Sequence, residues 1–232
     1  MKTILINQPR GLGDILFSQK IIHKLVENNY FVYWFTNEYF WLKDYINIKN
    51  FEFTNHILPT DFFLNLQDSI EENHPYDIMT CKYKMIGKTL PNLPENLHNI
   101  DYTDWELYFN FERNFQKENE LFSNILNLDD NEEYILLNRR YGINQYKNEI
   151  LNEISNKNKK TIELSYISNY TLFDWCKVIE NATEIYTVDT SILMLIEKLK
   201  LKSKTNILYP RHHEHTPKCL NKLFKTDWTW RL

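Results

Sequence analysis

The sequence predicts an α/β protein made of two small domains, each a parallel β-sheet flanked by helices. Three observations carry this. Short β-branched and aromatic runs alternate with helical patterns along most of the 232 residues, the signature of a doubly wound parallel sheet. The alternation breaks down between residues 82 and 131, where Pro91 and Pro94 precede a polar, asparagine-rich stretch, and then restarts. Charge divides at the same place: residues 1–132 hold 11 Lys and Arg against 20 Asp and Glu, and residues 133–232 hold 16 against 11. The boundary is therefore expected near residue 132, giving domains 1–132 and 133–232.

Residues 3–7 form a short β-run closed by Gln8, Pro9, Arg10 and a glycine pair. Residues 14–27 are helical, with Ile15, Leu16, Ile21, Ile22 and Leu25 on one face. Strands are expected at 30–35, 51–57 and 76–81, with a helix at 61–72 between the last two. In the second half the expected strands are 134–138, 161–164, 185–188 and 206–209. Helices are expected at 145–155, 171–181 and 191–199, the middle one with Leu172, Trp175, Val178 and Ile179 as its buried stripe.

Hydrophobic residues make up 43% of the chain and aromatics 15%, ample for packed cores. Three widely spaced cysteines, Cys81, Cys176 and Cys219, suit reduced thiols better than a disulfide frame or a zinc site. The short apolar run after Lys2 is no signal peptide, and nothing approaches the ~18 apolar residues of a membrane span. A cytoplasmic protein is expected.

In open parallel sheets ligands bind beyond the carboxyl ends of the strands, which directs attention to four loops. The first strand runs into Arg10, Gly11, Leu12, Gly13 and Asp14. Only four glycines occur in the chain, so this pair marks a place where the backbone needs freedom. It is not a dinucleotide fingerprint, which would require glycine where Leu16 stands. Asp14 at the helix start suits either a proton-accepting carboxylate or a plain helix cap. Asp189, Thr190 and Ser191 follow another strand and could bind phosphate oxygens or cap the next helix. Arg139, Arg140 and Arg211 could supply countercharge to a phosphate or pair with surface carboxylates. One of His212, His213 and His215 could contact a phosphate or an acceptor, or all three could be solvated loop residues. A metal site there is the weaker reading, because only Glu214 stands close enough to complete a ligand set. Trp105, Trp228 and Trp230 suit stacking on a sugar or base, or core. The basic second half fits a phosphate-bearing ligand.

Residues 3–16, TILINQPRGLGDIL, resemble the first strand and loop of the heptosyltransferase family of glycosyltransferases. Residues 162–164 (IEL), 171–175 (TLFDW) and 179–191 (IENATEIYTVDTS) are similar, in order and spacing, to that family's second-domain signature. The resemblance implies a GT-B fold, two Rossmann-like domains facing a cleft, and inverting transfer from a nucleotide-diphosphate sugar held mainly by the second domain. It implies that Asp14 is the general base, that Asp189, Thr190 and Ser191 bind donor phosphates and ribose, and that neither metal nor cofactor is required. Ser191 stands where the family has glycine, Met194 stands where it has histidine, and the chain is shorter than typical members, so heptose is not implied. An Asn- and Lys-rich composition suggests an AT-rich genome, viral or phage included, and widens the acceptors from glycans to proteins or modified nucleobases of DNA. The acidic first half ranks nucleic acid below a glycan. The competing classes are a non-catalytic sugar-nucleotide-binding module and another α/β enzyme, such as a methyltransferase holding a ribose through Glu38.

Overall fold

The computed structural model describes residues 1–67, 78–142, 145–211 and 223–231, and the chain divides into two compact units, Met1–Glu112 and Arg113–Leu232.

In the first unit β1 (Lys2–Asn7) leads into α1 (Leu12–Phe17) and α2 (Gln19–Glu27), then β2 (Tyr30–Phe35), β3 (Phe51–Thr54), β4 (Phe62–Asn65) and α3 (Ile78–Thr89). The four strands are all parallel, in the order β3-β2-β1-β4. Ile4, Leu5 and Ile6 are fully buried in succession, as expected of a central strand covered on both faces. Two expectations fail. The helix expected at 61–72 is strand β4 where it is described; its Phe62-Phe63-Leu64 run suits a pleated surface and pairs with β1 from Ile4↔Phe62 to Asn7↔Asn65. The strand expected at 76–81 is, from Ile78 on, the first turn of α3. Its helical period shows in Lys82, Tyr83 and Ile86, all at most 1% exposed. The Tyr83 hydroxyl donates to the Phe17 carbonyl at 2.6 Å, and Phe17 packs against Tyr83 and Trp105. Trp105 is thus core.

The second unit opens with α4 (Phe115–Asn119), which runs into a π-helical turn at Glu120–Ile125. Then follow β5 (Tyr134–Asn138), the small antiparallel pair β6 (Arg140–Gly142) and β7 (Gln145–Tyr146), α5 (Glu149–Ile154) and β8 (Lys160–Glu163). A 3₁₀ turn at Leu172–Trp175 enters α6 (Cys176–Asn181), followed by β9 (Glu184–Val188), α7 (Ile192–Ile196), β10 (Thr205–Tyr209) and β11 (Thr229–Trp230). The sheet is parallel throughout, in the order β11-β10-β9-β5-β8. Ile135 and Leu137 face α5 residues Ile150 and Ile154 on one side. On the other, the Tyr134 hydroxyl donates to Val178 of α6 at 2.6 Å. The helix expected at 145–155 starts only at Glu149, because Gln145 and Tyr146 pair with β6.

The units divide about twenty residues before 132 for a physical reason. The segment from 113 reads as a polar connector but is tied to the second unit: Arg113 bridges the buried Glu118 to Glu180 of α6, and Lys177 reaches Asn119 and lies over the Phe122 ring. Divided at 112, the units hold 9 Lys and Arg against 15 Asp and Glu, and 18 against 16. The charge asymmetry keeps its sign and shrinks.

Candidate active site

Each sheet reverses strand order once, and that reversal opens a crevice at the carboxyl edge. In the first unit β2 and β3 lie to one side of β1 and β4 to the other, so the loops after β1 and β4 part there. Gln8 sits in this position, fully buried. Its Nε2 donates to the Arg10 carbonyl and to Gln67 Oε1 (3.1 Å), and Gln67 Oε1 also accepts from the Arg10 backbone N–H at 3.1 Å. Lys82 of α3, 1% exposed, donates to Gln8 Oε1 and to the Leu66 carbonyl, both at 2.8 Å. Its Nζ lies 3.9 Å from Asp14 Oδ2.

Asp14 is not the helix cap. That place belongs to Gly11, at φ 82°, and Asp14 lies in the first turn of α1. Only Gly11 of the glycine pair takes left-handed backbone; Gly13 is simply within the helix. A β-carbon on Gly11 would come within 2.4 Å of Asp14 Oδ2, so the carboxylate lies back over the loop that precedes it. Tyr39 is close by. Burial first, then the Glu38 carboxylate and more weakly that of Asp14, push its phenol above the usual range, which keeps it a neutral donor. Glu38 pairs with Arg10 at 3.1 Å, both side chains well exposed.

In the second unit the reversal falls between β5 and β9, and Asn138 at the end of β5 spans it. Its Nδ2 donates to Thr187 Oγ1 (2.9 Å) and Thr190 Oγ1 (3.0 Å). Beside it is a pocket of about 280 Å³ lined by Asn138, Arg140, Thr190 and Ser191 at its polar side and by Tyr166, Tyr170 and Trp175 among its apolar wall. The 3₁₀ turn bearing Trp175 is held by reciprocal bonds between Thr171 and Asp174, with Asp174 Oδ2 accepting from the Thr171 N–H at 2.7 Å.

Arg140, Thr190 and Ser191 are therefore brought together, and Arg139 is not among them. Its guanidinium forks onto Glu163 (2.8 and 3.3 Å), reaches Asn148 and lies over Tyr146. Asp189, 6% exposed, accepts from the Arg211 backbone N–H (2.6 Å) and meets its guanidinium at 3.2 Å, so these two residues clasp each other. His212, His213 and His215 lie outside the described residues, as does Cys219. Among the described residues no three His, Cys, Asp or Glu side chains are grouped to hold a metal ion, and no helix is long and apolar enough to cross a membrane. Met194, where the resembled family has histidine, is buried in α7. Lys82, Gln8 and Gln67 were not singled out by sequence. Tyr166 and Ser165 could have been, since they directly follow β8 and the strand-end rule covers that loop too.

The chain matches solved structures of known proteins. A family 9 glycosyl transferase of Veillonella parvula aligns over 99% of this chain and 86% of its own, with TM-score 0.57 at 9% identity. The iron-containing dodecameric glycosyltransferase TibC of enterotoxigenic E. coli aligns over 90% of this chain and 58% of its own, with TM-score 0.50 at 8% identity. E. coli heptosyltransferase WaaC with ADP-2-deoxy-2-fluoro heptose aligns over 89% and 88%, with TM-score 0.48 at 10% identity. The likeness shows the fold. It is α/β of the GT-B kind, two Rossmann-like parallel-sheet units in one chain. No family model matches the sequence, and no curated protein matches it.

Proposed function

We propose that the chain is an inverting glycosyltransferase that moves a sugar from a nucleotide-diphosphate donor to a hydroxyl of a glycan acceptor, without a metal or further cofactor. The supporting observation is the kind of group found at the strand reversal of each unit. One carries a carboxylate fixed beside a buried cation. The other is a pocket with a guanidinium, the hydroxyls of Thr190 and Ser191 among others, and an aromatic wall.

In this reading Asp14 takes the proton of the acceptor hydroxyl as its oxygen attacks the anomeric carbon. The bond to the nucleoside diphosphate breaks from the opposite face, which inverts the anomeric configuration, and the leaving group departs with the bonding pair. Arg140 receives that charge, and Thr190 and Ser191 donate to diphosphate oxygens. Thr190 accepts from Asn138, which leaves its own hydrogen to give. Tyr166, Tyr170 and Trp175 provide faces for a base or sugar. Sugar transfer in general is what the names of two proteins of similar fold print, both glycosyltransferases.

The test is a thermal-shift screen of UDP-, GDP- and ADP-sugars, followed by assay of nucleoside diphosphate release with a glycan panel, with and without EDTA. The expected result is stabilisation by one nucleotide class and EDTA-resistant turnover. Stabilisation by S-adenosylmethionine alone, or donor binding without turnover on any acceptor, overturns it.

A further inference from the structure

We propose that Lys82 is a positioning residue for Asp14: its buried ammonium keeps the carboxylate ionised and, through Gln8, fixes the loop that carries it. The proposal rests on the reading of Asp14 as the base, and deepens it.

The starting point is an oddity of burial. Lys82 is 1% exposed, and it donates to two neutral acceptors, Gln8 Oε1 and the Leu66 carbonyl, both at 2.8 Å. A buried ammonium is costly unless a negative charge accompanies it. Asp14 Oδ2, at 3.9 Å, brings a negative charge to it. The side chain of Asp14 remains 26% exposed, so the pair has one buried and one accessible end. A purely structural ion pair gains nothing from that asymmetry, whereas a base must keep a face open to its substrate.

The second role follows from donor arithmetic. Lys82 only donates, so Gln8 must turn its oxygen toward the ammonium and its amide nitrogen the other way. That nitrogen then holds the Arg10 carbonyl and Gln67 Oε1, and Gln67 takes the Arg10 N–H. Arg10 precedes Gly11, whose left-handed turn starts the helix bearing Asp14. One cation thus fixes both ends of the loop. Among the described residues Tyr39 and Glu38, from the segment after β2, also face Asp14, with Glu38 paired to Arg10.

The experiment titrates Asp14 directly, in the full-length protein carrying ¹³Cγ-labelled aspartate, its resonance assigned by loss in Asp14→Asn. Loss of a cation within about 4–6 Å raises a carboxyl midpoint by about one to three pH units. Because Asp14 is partly solvated, Lys82→Met should raise its midpoint by about one, and Lys82→Arg should restore it. Lys82→Gln keeps a donor without the charge and serves as the second variant should methionine not fold. An unmoved midpoint in either folded neutral variant overturns the proposal. In parallel, the acid limb of kcat/KM for the nucleotide sugar selected by the screen should follow the NMR midpoint, with donor KM unchanged. A midpoint that moves while the limb stays upholds the role of Lys82 and removes Asp14 as the base.

Discussion

The crevice of the first unit and that of the second arise from the same topological event, yet they distribute polar groups in opposite ways. In the first, Gln8 and Lys82 are buried and bonded to one another, and the carboxylate beside them is held over a glycine in left-handed backbone. In the second, the cation and hydroxyls line an open pocket whose aromatic rim includes Tyr166, 82% exposed. Chemistry rewards groups that are already oriented before the reaction begins, while capture of a ligand from solution needs donors that it can reach. The contrast predicts that damage to one crevice appears in kcat and damage to the other in donor affinity.

Asp14→Asn tests the larger effect. It removes the proton acceptor while nearly preserving shape, so turnover should fall by about 10²–10⁴-fold. The donor dissociation constant, measured by calorimetry, should stay within about twofold if the two crevices divide the work. Parent-like turnover would remove Asp14 from the mechanism. Arg140→Ala is the converse. Loss of a charge-assisted bond to a diphosphate costs about 1.5–3 kcal/mol, a weakening of donor binding by roughly 10- to 100-fold. Arg139→Ala is its control, because Arg139 is committed to Glu163. That partly exposed pair contributes less than about 1 kcal/mol of stability, and its loss should leave donor affinity alone. Equal effects of the two arginines would erase the distinction drawn between them.

Gly11→Ala probes the loop itself. An L-residue at φ 82° costs about 1–2 kcal/mol, and the new methyl would also push the Asp14 carboxylate aside. Chemical denaturation should show that loss of stability together with a fall in kcat. Full activity would mean that the placing of Asp14 over Gly11 is incidental.

Much of this was legible in the sequence, and the failures have a common physical origin. Strand-end logic located the loop of Asp14 and the meeting of Arg140, Thr190 and Ser191, because those depend on local alternation of strand and helix. It could not choose between Arg139 and Arg140, since neighbouring residues of an extended segment point to opposite sides and only the fold says which side is the pocket. Nor could it see that Asp189 and Arg211 occupy each other, a partnership across 22 residues. β4 was misread as helix because four residues carry little periodicity and their partner strand lies 58 residues away. The same error hid Lys82. In the run Lys82-Tyr83-Lys84 nothing local distinguishes a solvated lysine from a buried one, and two of the groups it bonds stand 16 and 74 residues distant.

The smallest predicted effect separates the units by pH. His23, on α2, is held below the ordinary imidazole value chiefly by burial and to a lesser degree by Lys24, against opposing contributions from Glu27 and the Tyr108 backbone. Its Nε2 is buried without a hydrogen-bond partner among the described residues, and its ring packs against Tyr108 at 5.6 Å. A histidine with a depressed folded pKa is protonated first in the unfolded chain. Its stabilising contribution is therefore present above the unfolded value of about 6.5 and is lost as pH falls through the folded one. Amide exchange at pH 7 and pH 5.5 should show the first unit loosening around α2, while the sheet of the second unit, which has no histidine among its described residues, keeps its protection. His23→Phe preserves the ring contact and removes the titration, so the difference between the two pH values should shrink in that variant. An unchanged difference would assign the acid sensitivity to other groups, and the pH contrast between the units would lose its cause.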